Sequence, residues 1–132
     1  ATSVLAALNP TVEFQPGDIS KIPAVKELRR CELEFCVNNI VQISKSDWDA
    51  YETSWDFTTL PLLSPDNRDE TLGVTYASLR AYWNSMTNEM QKLEEENNRI
   101  FIDAYGLQDE LTPEVPIKEI TLTCNPAYGT PR

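Results

Sequence analysis

The sequence has no histidine, and it has only four glycines and three cysteines in 132 residues. Without histidine the chain cannot build a Ser–His or Cys–His nucleophile pair, and it lacks the commonest zinc ligand. The glycines lie far apart, at positions 17, 73, 106 and 129, so there is no P-loop and no glycine-rich turn of a Rossmann-like cofactor site. We therefore expect no catalytic, cofactor-binding or metal-binding residue in this chain.

Long apolar runs are missing as well. No stretch approaches the length of a membrane span, and no stretch resembles a secretory signal. The cysteines are odd in number and scattered, at Cys31, Cys36 and Cys124, which does not describe a disulfide framework. Cys31 and Cys36 would lie on different sides of a helix, and we interpret both as small core or boundary residues. The prediction is a cytoplasmic protein without membrane contact.

Basic residues are outnumbered, 11 against 21 acidic residues, and the formal net charge is -10. A domain of this charge repels phosphate backbones, so we expect no DNA binding by the chain alone. An acidic protein that imitates DNA would be the exception. The basic residues are interspersed with the acidic ones, however, which blurs any phosphate-like stripe.

Apolar spacing predicts a mainly α fold, an antiparallel hairpin of two long helices at about 24–43 and about 70–105. Gly106 is a suitable stop for the second helix, and Ser64-Pro65 can open it. The second helix carries apolar residues at alternating steps of three and four, here called the seam: Leu79, Trp83, Met86, Met90, Leu93, Ile100 and Ala104.

The seam has to be covered, because a long exposed apolar stripe causes association. Its expected partner is the first helix, through Leu28, Phe35, Val37 and Ile40. A coiled-coil adaptor that forms a homodimer through the 79–104 seam is an alternative. Asn97 interrupts the seam; if it is buried, it needs a hydrogen-bond partner such as Asn38, Asn39 or a backbone carbonyl.

Shorter elements are also predicted. Ser44 to Asp47 read "SKSD", a capping-box pattern that would start a short helix at about 45–54. Alternating residues predict short flanking strands at about 12–14 and about 118–123. Four aromatic residues fall near the short helix, and we expect core anchors rather than a base-stacking surface, because acidic residues surround them: Trp48, Tyr51, Trp55 and Phe57.

Two acidic groups could in principle serve as general acid and base, namely the pair Asp47/Asp49 and the run Glu94–Glu96. Both fall on helical surface that we expect to face solvent, where a charge run usually serves hydration. The sequence near the end, Asn125-Pro126-Ala127-Tyr128, is similar to the Asn-Pro-Pro-aromatic loop with which DNA amino-methyltransferases hold their target amino group. Alanine replaces the second proline, and the chain has no cofactor turn, so we predict the end of a strand running into a turn.

Three longer phrases carry a more specific resemblance: "LNPTVEFQPGDISKIP" (Leu8–Pro23), "SKSDWDAYETSWDFTTLPLL" (Ser44–Leu63) and "LEEENNRIFIDAYGLQDELTPEVPIKEITLTCNP" (Leu93–Pro126). Together they resemble one stretch of the large adenine-specific DNA methyltransferases of phage defence, the PglX proteins of BREX systems and related single-chain restriction–modification enzymes. In that family the stretch follows the methyltransferase domain, which holds S-adenosylmethionine and the catalytic loop. The resemblance implies that Asn125–Tyr128 is not that loop, and that no catalytic or cofactor residue maps onto this chain.

The resemblance further implies that residues 1–132 are one helical connector domain, an excised internal piece of a parent methyltransferase. Such a piece would hold the methyltransferase domain and the target-recognition region at a set distance on DNA while an adenine is flipped out. Its partner would be the remainder of the parent protein, and DNA would be reached only through that parent. The alternatives are a small acidic DNA mimic and a coiled-coil interaction protein.

Overall fold

The computed structural model describes Gly17, Ser20 and residues 30–128, with the side chains of Arg30 and Tyr128 excepted. Over these residues the protein is mainly helical, as predicted, and contains two α-helices, α1 at Arg30–Asp49 and α2 at Leu72–Tyr105. Short 3-10 helices lie at Pro61–Leu63, Pro65–Asn67, Ile117–Glu119 and Pro126–Tyr128. Leu28 and the predicted strand at 12–14 lie outside the described residues.

Both ends of α2 have local sequence causes. Thr71 is its N-cap, and its side-chain oxygen accepts a hydrogen bond from the backbone N–H of Val74 at 3.3 Å. At the other end Gly106 adopts φ 66°, and the N–H of Leu107 bonds to the carbonyl of Ile102 at 2.9 Å, a Schellman motif. The predicted stop at Gly106 is confirmed. The predicted opening at Ser64-Pro65 is wrong, because Pro65 begins a separate 3-10 helix instead.

The two helices form an antiparallel hairpin. Cys36, early in α1, packs with Ile100, late in α2, whereas Ser46, late in α1, lines a groove with Tyr82, early in α2. The seam is buried in this arrangement, with Leu79, Met86, Met90, Leu93 and Ile100 all at 9% exposure or less. Because the seam is covered within one chain, dimerisation through it would require the hairpin to open.

The face of α1 that meets α2 agrees with the prediction at Ile40 and differs elsewhere. Cys36, Ile40 and Ile43 pack with residues of α2, and Asp47 is buried in line with them at helical spacing, whereas Phe35 and Val37 are exposed. Cys36 is a core residue, but Cys31 is exposed. The first helix also shows no break at Ser44. It continues to Asp49 because Ile40, Ile43 and Asp47 keep one packing face, so the separate helix predicted at 45–54 is wrong, and residues 50–57 form consecutive turns.

After α2 the chain returns alongside it. We call residues 113–125 the strap. Ile120 and Leu122 of the strap are 0% and 2% exposed and pack against Met86 and Met90. The apolar residues of the alternating pattern at 118–123 therefore enter the core, but the strand predicted from that pattern is wrong. Residues Ile117–Glu119 form a 3-10 helix, and side chains rather than a neighbouring strand satisfy the backbone that follows.

No helix among the described residues is long and apolar enough to cross a membrane. Of the four predicted aromatic anchors, Tyr51 and Phe57 are half-buried, whereas Trp48 is 55% exposed and Trp55 is fully exposed. The expectation of core anchors is therefore wrong for both tryptophans. Trp48 lies in the last turn of α1, and Trp55 lies in the turns that follow.

Candidate functional site

Asn125, the first residue of the loop that is similar to a catalytic motif, is 3% exposed. Its side-chain Nδ2 donates to the carbonyls of Ile117 at 2.7 Å and Ile120 at 2.9 Å. Its Oδ1 accepts from the backbone N–H of Ala127 at 2.9 Å. Both amide hydrogens and one acceptor position of the amide oxygen are therefore engaged by the protein's own backbone, which fixes the orientation of this side chain.

Asp47 fixes the same end of the strap from the other side. Its carboxylate accepts hydrogen bonds from two consecutive backbone N–H groups, Thr123 at 2.6 Å and Cys124 at 3.0 Å. The residue is 5% exposed, so the expectation that Asp47 faces solvent is wrong. A buried carboxylate with two short bonds to N–H groups is a strong positional restraint. We call Asp47 and Asn125, with the backbone groups they bind, the latch.

The thiol of Cys124 lies within the latch. Burial raises the pKa of this thiol to about 12, and its hydrogen bond to Asp47 and the charge of Asp47 act in the same direction. The thiol therefore stays protonated at neutral pH, which removes the nucleophilic and metal-binding thiolate form. Within residues 30–127, no three cysteine or acidic side chains are placed to hold a metal ion.

Polar side chains of α2 hold the other half of the strap. Gln91 donates to the carbonyl of Val115 at 2.6 Å, Glu95 accepts from the N–H of Val115 at 3.2 Å, and Asn98 donates to the carbonyl of Pro113 at 3.2 Å. The run Glu94–Glu96 is thus half-buried rather than solvent-facing, and burial raises the pKa of Glu94. Glu95 serves as a backbone clamp, which is a structural role.

Sequence reasoning missed this clamp, although a signal for it exists. Gln91, Glu95 and Asn98 follow steps of four and three, which place them on one helical face beside the seam. The tail that follows contains Pro113 and Pro116, so its backbone groups are not satisfied by a regular element. A stripe of polar side chains on the preceding helix can supply the missing hydrogen-bond donors and acceptors.

Asn97 lies on the seam as predicted and is half-buried. Its Oδ1 atom is buried and has no hydrogen-bond partner among the described residues. The expected partner Asn39 instead donates to the carbonyl of Phe35 in its own helix, at 2.7 Å. Asn97 is therefore a polar interruption with an unsatisfied oxygen.

An open groove of about 330 Å³ lies between α1 and α2, lined by Gln42, Ile43, Ser46, Tyr82, Ser85, Met86 and Glu89. It contains no glycine, since Gly73 and Gly106 lie at opposite ends of the 34-residue helix α2. The groove thus lacks the close backbone approach that a nucleotide-like cofactor needs.

A second polar cluster lies where α1 ends. Lys45 pairs with Asp49 at 2.9 Å and with Asp56 at 2.5 Å. The hydroxyl of Ser54 donates to Asp49 at 2.5 Å and accepts from the backbone N–H of Asp56 at 3.1 Å. The hydrogen bond from Ser54 and the pairing with Lys45 hold the pKa of Asp49 below its usual value. The pair Asp47/Asp49 therefore divides between two tasks, the latch and this turn.

No protein-family model matches the chain. Two curated relatives do, and both are adenine-specific methyltransferases. The methyltransferase PglX of Lacticaseibacillus casei (strain Zhang) is 34% identical over 125 residues, which cover 92% of this chain and 10% of that protein. The methyltransferase BrxX of Escherichia coli O9:H4 (strain HS) is 29% identical over 119 residues, which cover 90% of this chain and 9% of that protein.

These matches define the class first: the chain has the sequence of a segment of an adenine-specific methyltransferase. More narrowly, it is a PglX-type segment, as the resemblance of its longer phrases predicted. The chain spans about a tenth of the length of the curated relatives it matches.

Proposed function

We propose that this chain is a non-catalytic helical connector of a PglX-type adenine-specific DNA methyltransferase that acts in restriction–modification or BREX phage defence. In this proposal residues 1–132 form a single connector domain. It holds the methyltransferase domain and the target-recognition region at a fixed separation on DNA. Rigid elements suit that task better than flexible linkers do. The support is the way in which α1, α2 and the strap are joined, by apolar packing and by side-chain bonds to backbone groups.

The observation that carries the non-catalytic part of the proposal is the state of Asn125. A catalytic Asn-Pro-Pro-aromatic loop must offer its amide and carbonyl groups to the target base, and here the side-chain amide of Asn125 binds Ile117, Ile120 and Ala127. The loop that is similar in sequence therefore serves as a structural corner, and its aromatic partner Tyr128 is not assigned a catalytic role.

S-adenosylmethionine is implied for the parent protein, and the proposal places it outside this chain. The groove between α1 and α2 does not fit the cofactor, because no glycine-rich turn lines it. The transferred methyl group and the flipped adenine would both be bound by the parent's methyltransferase domain. The contribution of this chain would be to the geometry of the two DNA-contacting bodies.

The proposal is tested in the parent methyltransferase by replacing the segment that corresponds to residues 30–128 with a flexible Gly/Ser linker of equal reach. We expect cofactor binding, measured by calorimetry, to be retained, and site-specific methylation to fall by at least about 100-fold, since misplacement by an ångström can already have such an effect. Loss of cofactor binding would make the chain part of the cofactor domain. Unchanged methylation would show that it positions nothing.

The 132-residue chain alone offers a second test. It should give no saturable heat with millimolar S-adenosylmethionine and no mobility shift of random duplex DNA at physiological salt, given its net charge of -10. The acidic DNA mimic remains the second candidate function on the strength of that charge. It would be favoured if the chain captured a purified DNA-binding enzyme and duplex DNA competed for the capture.

A further inference from the structure

Exposed apolar side chains concentrate where the two helices are joined. We call residues 48–76 the connecting end, comprising the last residues of α1, the turns and 3-10 helices, and the start of α2. Seven of the fifteen exposed large hydrophobic residues of the described chain lie in this range: Trp48, Trp55, Leu60, Leu63, Leu72, Val74 and Tyr76. Such a concentration at one end of a small fold marks an interaction surface.

Trp55 is the most exposed of these residues, and the backbone around it is held in place. Its neighbour Ser54 is 9% exposed and bonds to both Asp49 and the backbone of Asp56. Lys45 then ties Asp56 back to α1. The indole is therefore presented by an ordered turn, so little backbone entropy is lost when it binds. Tryptophan is among the residues that most often dominate binding energy at interfaces.

The charge around Trp55 indicates the kind of surface that it meets. Between residues 49 and 70 there are six acidic residues, Asp49, Glu52, Asp56, Asp66, Asp69 and Glu70, and one basic residue, Arg68. This excess repels nucleic-acid phosphates and also repels a second copy of the same end. The complementary surface is an apolar pocket with a basic rim on a protein.

The length of the relatives indicates where that surface lies. The matched segments make up 10% and 9% of the two methyltransferases, so about nine-tenths of each relative lies outside the matched region. We propose that the connecting end, with Trp55 as its anchor, docks into an apolar, basic-rimmed pocket on the remainder of the parent methyltransferase. This inference rests on the proposed function, and it assigns one end of the connector to a specific contact.

The test compares hydroxyl-radical oxidation of Trp55 in the 132-residue chain and in the parent methyltransferase, read by mass spectrometry. We expect oxidation of Trp55 to fall at least about fivefold in the parent, as an anchor buried at an interface core requires. If no longer polypeptide contains the chain, the proposed function fails. If Trp55 is equally oxidised in both proteins, the docking proposal fails while the connector function stands. Protection that grows with concentration in the isolated chain would show self-association and overturn the proposal.

A binding measurement sharpens the result. The chain is titrated against parent protein from which this segment has been deleted. Trp55→Ala should weaken the association by about 30-fold or more, the loss typical of a hot-spot residue. Phe35→Ala is the matched control, because Phe35 is a 65% exposed aromatic residue far from the connecting end, and it should change the affinity less than about threefold. Glu52→Gln removes one negative charge from the connecting end and leaves its apolar residues unchanged. It should therefore reduce the dependence of the affinity on salt concentration. Equal effects of Trp55→Ala and Phe35→Ala, or no association at all, would contradict the proposal.

Discussion

The strap and the connecting end differ in how deeply their apolar side chains are buried and in what holds their backbone. Neither contains an α-helix over most of its length, yet Ile120 and Leu122 in the strap are almost fully buried, whereas Trp55 in the connecting end is fully exposed. The strap's backbone is bound by Asp47, Gln91, Glu95 and Asn98, from both helices. The connecting end is ordered by bonds within itself and to Lys45.

The difference shows that irregular backbone can have two roles in one fold. Side chains that bind backbone groups satisfy a segment that has no strand partner, so the segment can enter a core. The turn around Trp55 is held by its own polar groups and by Lys45 of α1, and it keeps apolar side chains available for another surface. The strap therefore belongs to the stability of the fold, and the connecting end to its contacts.

The largest effect is expected from Ile120→Ala. Ile120 has no exposed surface and packs with Met86, Met90 and Leu122, so truncation leaves a cavity between the helices and the strap. The expected loss is about 2–5 kcal/mol in the free energy of unfolding, measured by denaturant titration. Ile117→Ala is the control, because Ile117 is 36% exposed, and its loss should be less than half as large. Equal losses would mean that the strap is not part of the core.

A strong effect of a different kind is expected from Asp47→Asn. The amide keeps the size of the side chain but places an NH₂ group toward the N–H groups of Thr123 and Cys124, so at least one hydrogen bond to a charged acceptor is lost. We expect a loss of about 2–3 kcal/mol. Opening of the latch should also make the Cys124 thiol react faster with Ellman's reagent.

The thiol readout has an internal reference and a control variant. Cys31 is exposed and should react rapidly in every variant, while Cys36 is buried. Asp66→Asn removes an exposed carboxylate outside the latch and should change neither stability nor the reactivity of Cys124. Unchanged reactivity of Cys124 in Asp47→Asn would show that the strap stays closed without the carboxylate.

Helix α2 and the latch differ in how far they can be predicted from the sequence. The C-terminal end and the seam of α2 were predictable because their causes, Gly106 and the spacing of Leu79 to Ile100, lie within or directly beside one element. The latch was not, because Asp47 and Thr123 are 76 residues apart and nothing local couples them. The pattern Ser44–Asp47 predicted a capping box, but no helix begins there. The carboxylate of Asp47, which would complete the box, binds the strap instead.

Ala127→Pro tests the similarity to a catalytic loop directly, because residues 125–128 of the variant have the sequence Asn-Pro-Pro-Tyr. The substitution removes the N–H that Ala127 donates to Asn125 and disfavours the turn conformation of Pro126. We expect a loss of about 1–2 kcal/mol and no gain of cofactor binding. Ala127→Ser keeps the N–H and serves as the control. Tighter binding of S-adenosylmethionine by the proline variant would contradict the structural role of this corner.

Asn97→Leu is expected to have a smaller effect of opposite sign. The Oδ1 atom of Asn97 is buried without a partner, so replacement by leucine removes an unsatisfied polar group and extends the seam toward Ile100. We expect a gain of up to about 1 kcal/mol, read by scanning fluorimetry, with more dimer in light scattering if Asn97 restricts packing. Asn88→Leu, at an exposed position of the same helix, should leave the melting temperature unchanged. A lower melting temperature for Asn97→Leu would show that Asn97 anchors a polar contact.

The smallest global effect is expected at the connecting end, from Lys45→Met. Lys45 is largely exposed in its pairs with Asp49 and Asp56, and ion pairs at the surface contribute little to the free energy of unfolding. The local effect should be larger: amide protection of Ser54 and Phe57, whose N–H groups close the turns, should fall in hydrogen exchange while α2 stays protected.

Acid should act on the same turn in a defined direction. The pKa of Asp49 is lowered in the folded protein, so its contribution to stability is present above the unfolded value and is lost as the pH falls through the folded one. Protection of Ser54 and Phe57, corrected for intrinsic exchange, should therefore decline below pH 3.8, the ordinary value for this carboxyl, before the amides of α2 do. Ser54→Ala should weaken this separate acid step, because the hydroxyl of Ser54 is the leading cause of the lowered pKa of Asp49, and Lys45 supplies the remainder. If the turn and α2 lose protection together at every pH, the connecting end is not an independent unit, and the contrast with the strap disappears.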